Sequence, residues 1–305
     1  MPAVLNTNAA SLYASKNLQS AQSKMAQSVE RLSSGLRINR AKDDAAGLGI
    51  TNALTSQING ANQGIRNLND GISLVQTAEG AIAAAQEMAQ RVLTLATQGA
   101  NGTMGTTDRN AIRSEMRQLM IAVDGIAGRT KYSGISVLNA TAISLQSSNV
   151  TTDVITVSAS ALAKIGVGTS TVGTGSGTGY AIIAGNGYTG SSTEAGSLMD
   201  KINIVADGSL TATHMNNIAT DAAAYITALS TQRGLLGAAQ NQIEFTVSNV
   251  TELSSNLSAA RSNVQDTDYA SETASLTKGQ ILQQAATAML AQANQMPNVI
   301  LSLLK

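Results

Sequence analysis

Along the first part of the chain, Ala14, Leu18, Ala21, Met25, Val29, Leu32 and Leu36 recur at steps of three and four residues. Such spacing draws one narrow apolar stripe along a helix whose opposite face is polar. Most of the stripe is alanine or a lone aliphatic side chain. The helix therefore buries too little to stand alone and needs partners along its length. A second thin stripe, Leu276, Ile281, Ala285 and Met289, returns near the other terminus.

The only prolines, Pro2 and Pro297, bracket the sequence, so everything between them is free to form long helices. The pattern predicts a first helix over about 11–36 and a polar break over 37–44, in which Asp43 and Asp44 are N-cap candidates. A long helix follows over 45–98, with Ile65, Leu68, Ile72, Val75, Ile82, Ala89 and Ala96 on a near-heptad seam that Glu79 interrupts. Gly60, Gly64, Gly71 and Gly80 weaken this helix by about 0.5–1 kcal/mol each relative to alanine, and glycine there permits close approach of another helix. Gly99, Gly102 and Gly105 mark a turn. Thr107 or Asp108 then caps a shorter helix carrying Ile112, Met116, Leu119, Val123 and Ile126, which Gly128 ends.

From about 132 to 207 the periodicity changes. Residues 150–157 and 180–183 read as short strands or hairpins, and the Gly-, Thr- and Ser-rich stretch 166–190 between and beyond them as irregular and exposed. Helical periodicity resumes near His214 and continues through Tyr225, Leu229, Leu236, Ile243, Val250, Leu257 and Val264 until Asp266 and Asp268 interrupt it. The layout is nearly symmetric about the middle: weak terminal helix, acidic break, long helix, variable centre, and the same in reverse. Antiparallel pairing of the two halves is the economical fold. The fold class expected is mainly α, a long antiparallel coiled-coil bundle of N- and C-terminal halves with a small central region containing a β-hairpin.

Composition narrows the function. With aromatics at 2%, no Trp and a single Phe, Phe245, the cores must be small aliphatic seams. Nineteen basic and nineteen acidic residues cancel, leaving no surplus to neutralise nucleic-acid phosphates. Cysteine is absent, which removes disulfides, thiol nucleophiles and thiolate metal sites. The first twenty residues lack the basic start and apolar core of a cleavable signal, and no run reaches the length of a membrane span. Export would need another route.

Chemistry-bearing motifs are few. His214 is the lone histidine and has no adjacent ligand pattern, so an ordinary structural role is expected, and no His-Glu-x-x-His is present. The run 173–179, Gly-Thr-Gly-Ser-Gly-Thr-Gly, lacks phosphate-loop spacing and reads as a flexible loop. The pairs Asp43/Asp44 and Asp266/Asp268 are explained by helix caps at a hinge without a cation. The Ser- and Thr-rich centre is open to O-glycosylation. No nucleophile, base and orienter converge, so neither an enzyme nor a cofactor is expected.

Several longer motifs carry a resemblance: Ser28-Val-Glu-Arg-Leu-Ser-Ser-Gly-Leu-Arg-Ile-Asn39, Lys42-Asp-Asp-Ala-Ala-Gly47, Asn67-Leu-Asn-Asp-Gly71 with Gln76-Thr-Ala-Glu-Gly80, and Gln280-Ile-Leu-Gln-Gln-Ala-Ala286 with Leu290-Ala-Gln-Ala-Asn-Gln295. In these, over about the first 140 and last 90 residues, the chain resembles bacterial flagellin, while its centre does not. The resemblance implies a secreted, extracellular subunit of the flagellar filament, a homopolymer of many copies exported unfolded through the flagellum's own channel. It implies residues 1–44 with 266–305 as an inner coiled coil lining that channel, 45–140 with 214–265 as a helical rod, and 141–213 as a β-hairpin with a small exposed insert. Implied partners are an export chaperone and the hook-associated junction and cap proteins. The stripe residues Leu18, Met25, Leu32, Leu36, Leu276, Ile281 and Met289 become assembly candidates. Segment 89–98 resembles the flagellin segment bound by the flagellin-sensing toll-like receptor of the host. Arg91, Leu95 and Glu115 fall on matching positions, whereas Leu93 and Thr94 depart from the common charged pair. Two alternatives share these features: a hook–filament junction protein, and a secreted ligand whose main target is a host receptor.

Overall fold

The computed structural model describes residues 8–139, 141–163, 165, 202 and 210–295 in full, and the backbone of 167–170, 179–182 and 296–303. The elements in chain order are α1 (Ala9–Ser34), α2 (Ala45–Gly99), α3 (Thr106–Arg129), β1 (Lys131–Tyr132), β2 (Ile135–Ser136), β3 (Ile143–Gln146), β4 (Val154–Val157), β5 (Val167–Ser170), β6 (Gly179–Ile182), α4 (Ala212–Gln265) and α5 (Tyr269–Leu303). The strands pair as three separate antiparallel couples, β1 with β2, β3 with β4 and β5 with β6. The fold is mainly α, as the apolar periodicity predicts, and the long helices begin and end within a few residues of the expected bounds. Packing divides the chain into two units, 1–58 with 254–305, and 59–253.

In the first unit α1 and α5 run antiparallel. Asn8 Nδ2 donates to the Ala293 carbonyl at 2.7 Å, Ser11 Oγ to Asn294 Oδ1 at 3.0 Å, and Arg31 Nη1 meets Glu272 Oε2 at 3.4 Å. Their seam is built from small residues at heptad spacing: Ala14, Ala21 and Ser28 on α1, Gly279, Ala286 and Ala293 on α5. A seven-residue repeat keeps one line of contact between two helices. The expected stripe is corrected in two places. Ser28, 5% exposed, takes the seat expected of Val29, which is 50% exposed, because the seam keeps the heptad step from Ala21 instead of drifting to the bulkier neighbour. On α5 Ile281 and Met289 point outward, and Ala286 and Ala293 are buried instead.

Both helices of this unit stop at a short link. Gly35 takes the left-handed conformation, φ +73°, and its N–H caps the Arg31 carbonyl at 2.8 Å, a terminus that favours glycine. Leu36 and Asp266 form an antiparallel bridge, flanked by Arg37 N–H to the Gln265 carbonyl at 2.7 Å and Thr267 N–H to the Gly35 carbonyl at 2.9 Å.

The second unit has one continuous core of α2, α3, α4 and the loops between them, including Leu68, Val75, Ile82, Val92, Met116, Met120, Leu162, Ile218, Tyr225, Leu229 and Ile243. Nearly all of these are aliphatic, as the composition requires. Tyr225 is the large exception. Its hydroxyl donates to the Ile165 carbonyl at 2.7 Å, and burial, helped by the nearby Asp124 charge, pushes its pKa well above the ordinary value. Gln232 Nε2, also buried, donates to the carbonyls of Ala161 and Ala163 at 3.2 and 2.7 Å. These two side chains satisfy the main chain of a loop that has no ladder of its own.

The β3–β4 hairpin lies across α2. Gly60, Gly64 and Gly71 face Asn149, Ser147 and Leu145, and a Cβ at Gly64 would overlap the Ser147 carbonyl. The glycines thus admit a hairpin rather than the second helix expected there. Asn67 Nδ2 donates to the Gln146 carbonyl at 3.1 Å and fixes the register. Gly80 has open space around it. Strands β1, β2 and β3 lie outside the runs predicted as strand. The stretch 166–190 is not irregular throughout, since 167–170 pairs with 179–182; the rest of that loop, with the run 173–178, lies outside the described residues. The caps expected at Thr107 or Asp108 fall one turn differently: Gly105 is the N-cap, and Asp108 Oδ2 accepts its N–H at 3.3 Å.

Candidate assembly and recognition surfaces

The acidic breaks fold as caps. Asp44 Oδ1 accepts the Gly47 N–H at 2.8 Å and Asp268 Oδ1 accepts Ala270 N–H at 3.0 Å, so each opens the helix that follows it. Asp43 does not cap a helix. Its Oδ2 accepts the N–H groups of Arg40 and Asn39 at 3.0 and 3.3 Å and closes the turn before α2. Its pKa lies below the ordinary carboxylate value, first through the Arg40 N–H, against an opposing desolvation, then through the Asn39 N–H and the Lys42 and Arg31 charges. Glu30 secures the same turn from α1, accepting from Arg40 Nε at 2.7 Å and Asn39 Nδ2 at 3.0 Å. No group of acidic and histidine side chains suited to a metal occurs among the described residues.

His214 is taken up in a reciprocal cap at the start of α4. Its Nδ1 lies 2.5 Å from Thr211 Oγ1, and its N–H donates to that oxygen at 3.4 Å.

Of the seven assembly candidates, Leu18, Met25, Leu32, Leu36 and Leu276 are half-buried in the first unit, and Ile281 and Met289 are exposed. Beside the alanine seam, α1 and α5 form a groove of 720 Å³ lined by Tyr13, Asn17, Lys24, Leu282, Met289 and Gln292, among others. Tyr13 is 69% and Met289 65% exposed. The groove is open to solvent, its apolar side chains interleaved with Asn17, Lys24 and Gln292. The sequence stripe located the helices but missed Tyr13 and Leu282, which sit one helical step off it.

The three receptor candidates separate. Arg91 Nε and Nη2 both donate to Glu115 Oε1, at 3.0 and 2.8 Å, joining α2 to α3 on the surface. Leu95 is 2% exposed and belongs to the core. Thr94 donates to the Gln90 carbonyl at 3.0 Å, and Leu93 packs partly against the core.

Long helices from both ends of the chain, paired through a seam of small residues, with no metal-binding cluster among the described residues, define a helical structural protein. The comparisons with known proteins agree. Residues 5–142 match the bacterial flagellin N-terminal helical region and residues 218–304 the bacterial flagellin C-terminal helical region. Flagellin of Bacillus subtilis is 38% identical over 99% of both chains. The flagellar filament 33 kDa core protein of Treponema phagedenis is 35% identical over 99% of this chain and 100% of its own, and flagellin B of Vibrio cholerae 32% over 98% and 99%. The chain belongs to the bacterial flagellin family, the structural subunits of the flagellar filament. No described helix is long and apolar enough to cross a membrane.

Proposed function

We propose that this flagellin polymerises through α1 and α5, and that these helices become fully ordered only among neighbouring copies. The observation that carries this is the open groove beside a seam of Ala14, Ala21, Ser28, Gly279, Ala286 and Ala293. Burial stabilises by about 25 cal/mol per Å² of apolar surface, and alanine offers little. A helix pair of this kind gains its missing apolar cover from the next subunit, so assembly and folding become one event. A head-to-tail contact whose rotation does not close gives an open helical polymer.

In this reading residues 1–44 with 266–305 form the inner coiled coil that lines the filament channel, 45–140 with 214–265 the rod around it, and 141–213 a β-hairpin with a small exposed insert. The chain travels to the filament tip unfolded with an export chaperone, and meets junction and cap proteins at the filament's two ends. Removing the residues after Asp266 tests it. The expected product keeps a folded second unit by circular dichroism but forms no filaments when salt is raised; normal filaments from that truncation would refute the proposal. Long filaments from the purified full chain also separate this reading from a junction protein.

A second reading concerns recognition. The exposed Arg91–Glu115 pair supports binding of this face by the host flagellin-sensing receptor, with Leu95 acting from beneath by shaping α2. Monomer that activates the receptor without assembling would favour it.

A further inference from the structure

The turn between α2 and α3 holds an Asn-Gly pair, Asn101-Gly102, in a setting unlike that of the other described Asn-Gly pair, Asn59-Gly60, which lies inside α2. Asn101 is exposed, and Gly102 has open space around it. The Gly102 N–H donates to no backbone carbonyl among the described residues, whereas its neighbours do: Asn101 N–H to the Gln98 carbonyl at 3.2 Å, Met104 N–H to the Asn101 carbonyl at 3.2 Å. Asn101 Oδ1 accepts the Thr103 N–H at 3.3 Å, which polarises the side-chain amide and makes its Cγ more open to attack.

Arg109 completes the setting. Its side chain is buried, and its guanidinium donates to three main-chain carbonyls: Gly99 at 2.8 Å, Leu210 at 3.3 Å and Asn101 at 3.0 Å. No carboxylate pairs with it among the described residues. A buried cation whose described acceptors are all neutral gains from a negative charge placed within reach.

We propose that Asn101 is a self-modification site, and that Arg109 directs the product to isoaspartate. The Gly102 nitrogen attacks Cγ of Asn101. A C–N bond forms, the developing oxyanion is stabilised by the Thr103 N–H, and the side-chain nitrogen departs as ammonia, taking up the proton lost by Gly102 through solvent. Water then opens the resulting cyclic imide. Attack at Cγ gives aspartate; attack at the α-carbonyl breaks its bond to the Gly102 nitrogen and gives isoaspartate, whose free carboxylate is the former main-chain carbonyl of residue 101. That carbonyl is the one Arg109 Nη2 already touches. The guanidinium polarises it toward water and pairs with the carboxylate once formed. At Asn59 the following N–H lies within helical backbone, and Asn149 packs so closely on Gly60 that an added Cβ there would meet its Cβ at 2.6 Å, so ring closure is hindered.

The test is incubation of full-length monomer at mildly alkaline pH, followed by peptide mapping that separates aspartyl from isoaspartyl products. Conversion at Asn101 is expected to run several-fold ahead of Asn59 in the folded protein, with both proceeding alike in denaturant. The isoaspartyl share at residue 101 is expected to be higher in the folded protein than in denaturant, and to fall to the denatured share in Arg109→Gln. Equal conversion at the two asparagines in the folded protein overturns the site. An isoaspartyl share at residue 101 unchanged by folding overturns the role of Arg109, and this comparison holds whether or not the variant folds.

Discussion

Gly64 runs so close beneath Ser147 that a side chain on the helix would strike the hairpin's carbonyl oxygen. Ser147 cannot retreat easily, since its N–H and Oγ both bind the Asp153 carbonyl, at 3.0 and 2.8 Å. Replacing Gly64 by alanine should add about 1 kcal/mol of helix propensity but lose more, on the order of 1–3 kcal/mol, through overpacking. A lower thermal midpoint for Gly64→Ala is the expected result. Gly80→Ala, with nothing near it, should raise the midpoint, by roughly 0.5–1 kcal/mol of stability. Differential scanning calorimetry of the two variants checks both signs.

The Arg91 and Leu95 substitutions should part company. The Arg91–Glu115 pair is about half exposed on both sides, and pairs of that kind contribute about 0–1 kcal/mol. Arg91→Ala should therefore leave the unfolding midpoint nearly unchanged while reducing activation of the host receptor. Leu95→Ala removes core volume and should cost about 2–5 kcal/mol, lowering receptor activation only as far as it loosens α2. Denaturant titrations alongside a receptor reporter assay distinguish a contact residue from a supporting one.

How much of this was legible follows from what each residue contributes locally. The helices were, because their apolar steps of three and four repeat over many turns and no proline interrupts them before Pro297, inside α5. The acidic breaks were legible too, since Asp44 and Asp268 stand where orphan N–H groups need acceptors. Ser28 in place of Val29 was not: both lie within one step of the stripe, and only the partner helix selects the smaller residue. Strand β3 escaped because Ile143–Gln146 carries only two apolar positions, too few to stand out from loop sequence, and its place is set by the glycines of α2. Among the receptor candidates, Leu95 gives no sign of burial in the linear motif, since it lies one residue off the seam at Ala96 and is enclosed only once the second unit's core forms around it.

Tyr225→Phe offers a clean measure of the loop packed in the second unit. The change keeps the ring and removes the donor to the buried Ile165 carbonyl. A carbonyl left without a partner costs about 1–3 kcal/mol. Faster hydrogen exchange around 161–165 with little change in α1 and α5 is the outcome expected.

Acid should loosen the turn before α2 before it unfolds the helices. Asp43 has a depressed pKa in the fold, so its contribution is present above its unfolded value, near pH 4, and is lost as pH falls through the lower folded value. The Asn39 and Arg40 amide resonances should shift across that window in NMR titrations. Asp43→Asn should abolish the transition while leaving the Asp44 cap intact.

A seam of alanine, serine and glycine repeating every heptad has nearly equivalent seats, and no large knob locks one choice. What holds the pair in step is a handful of polar pins: Asn8 with Ala293, Ser11 with Asn294, and Arg31 with Glu272. Sliding α1 along α5 by two turns sacrifices those pins but little greasy contact. Removing one of those polar contacts should therefore cost the pair more of its choice of alignment than trimming an equal area of apolar surface would.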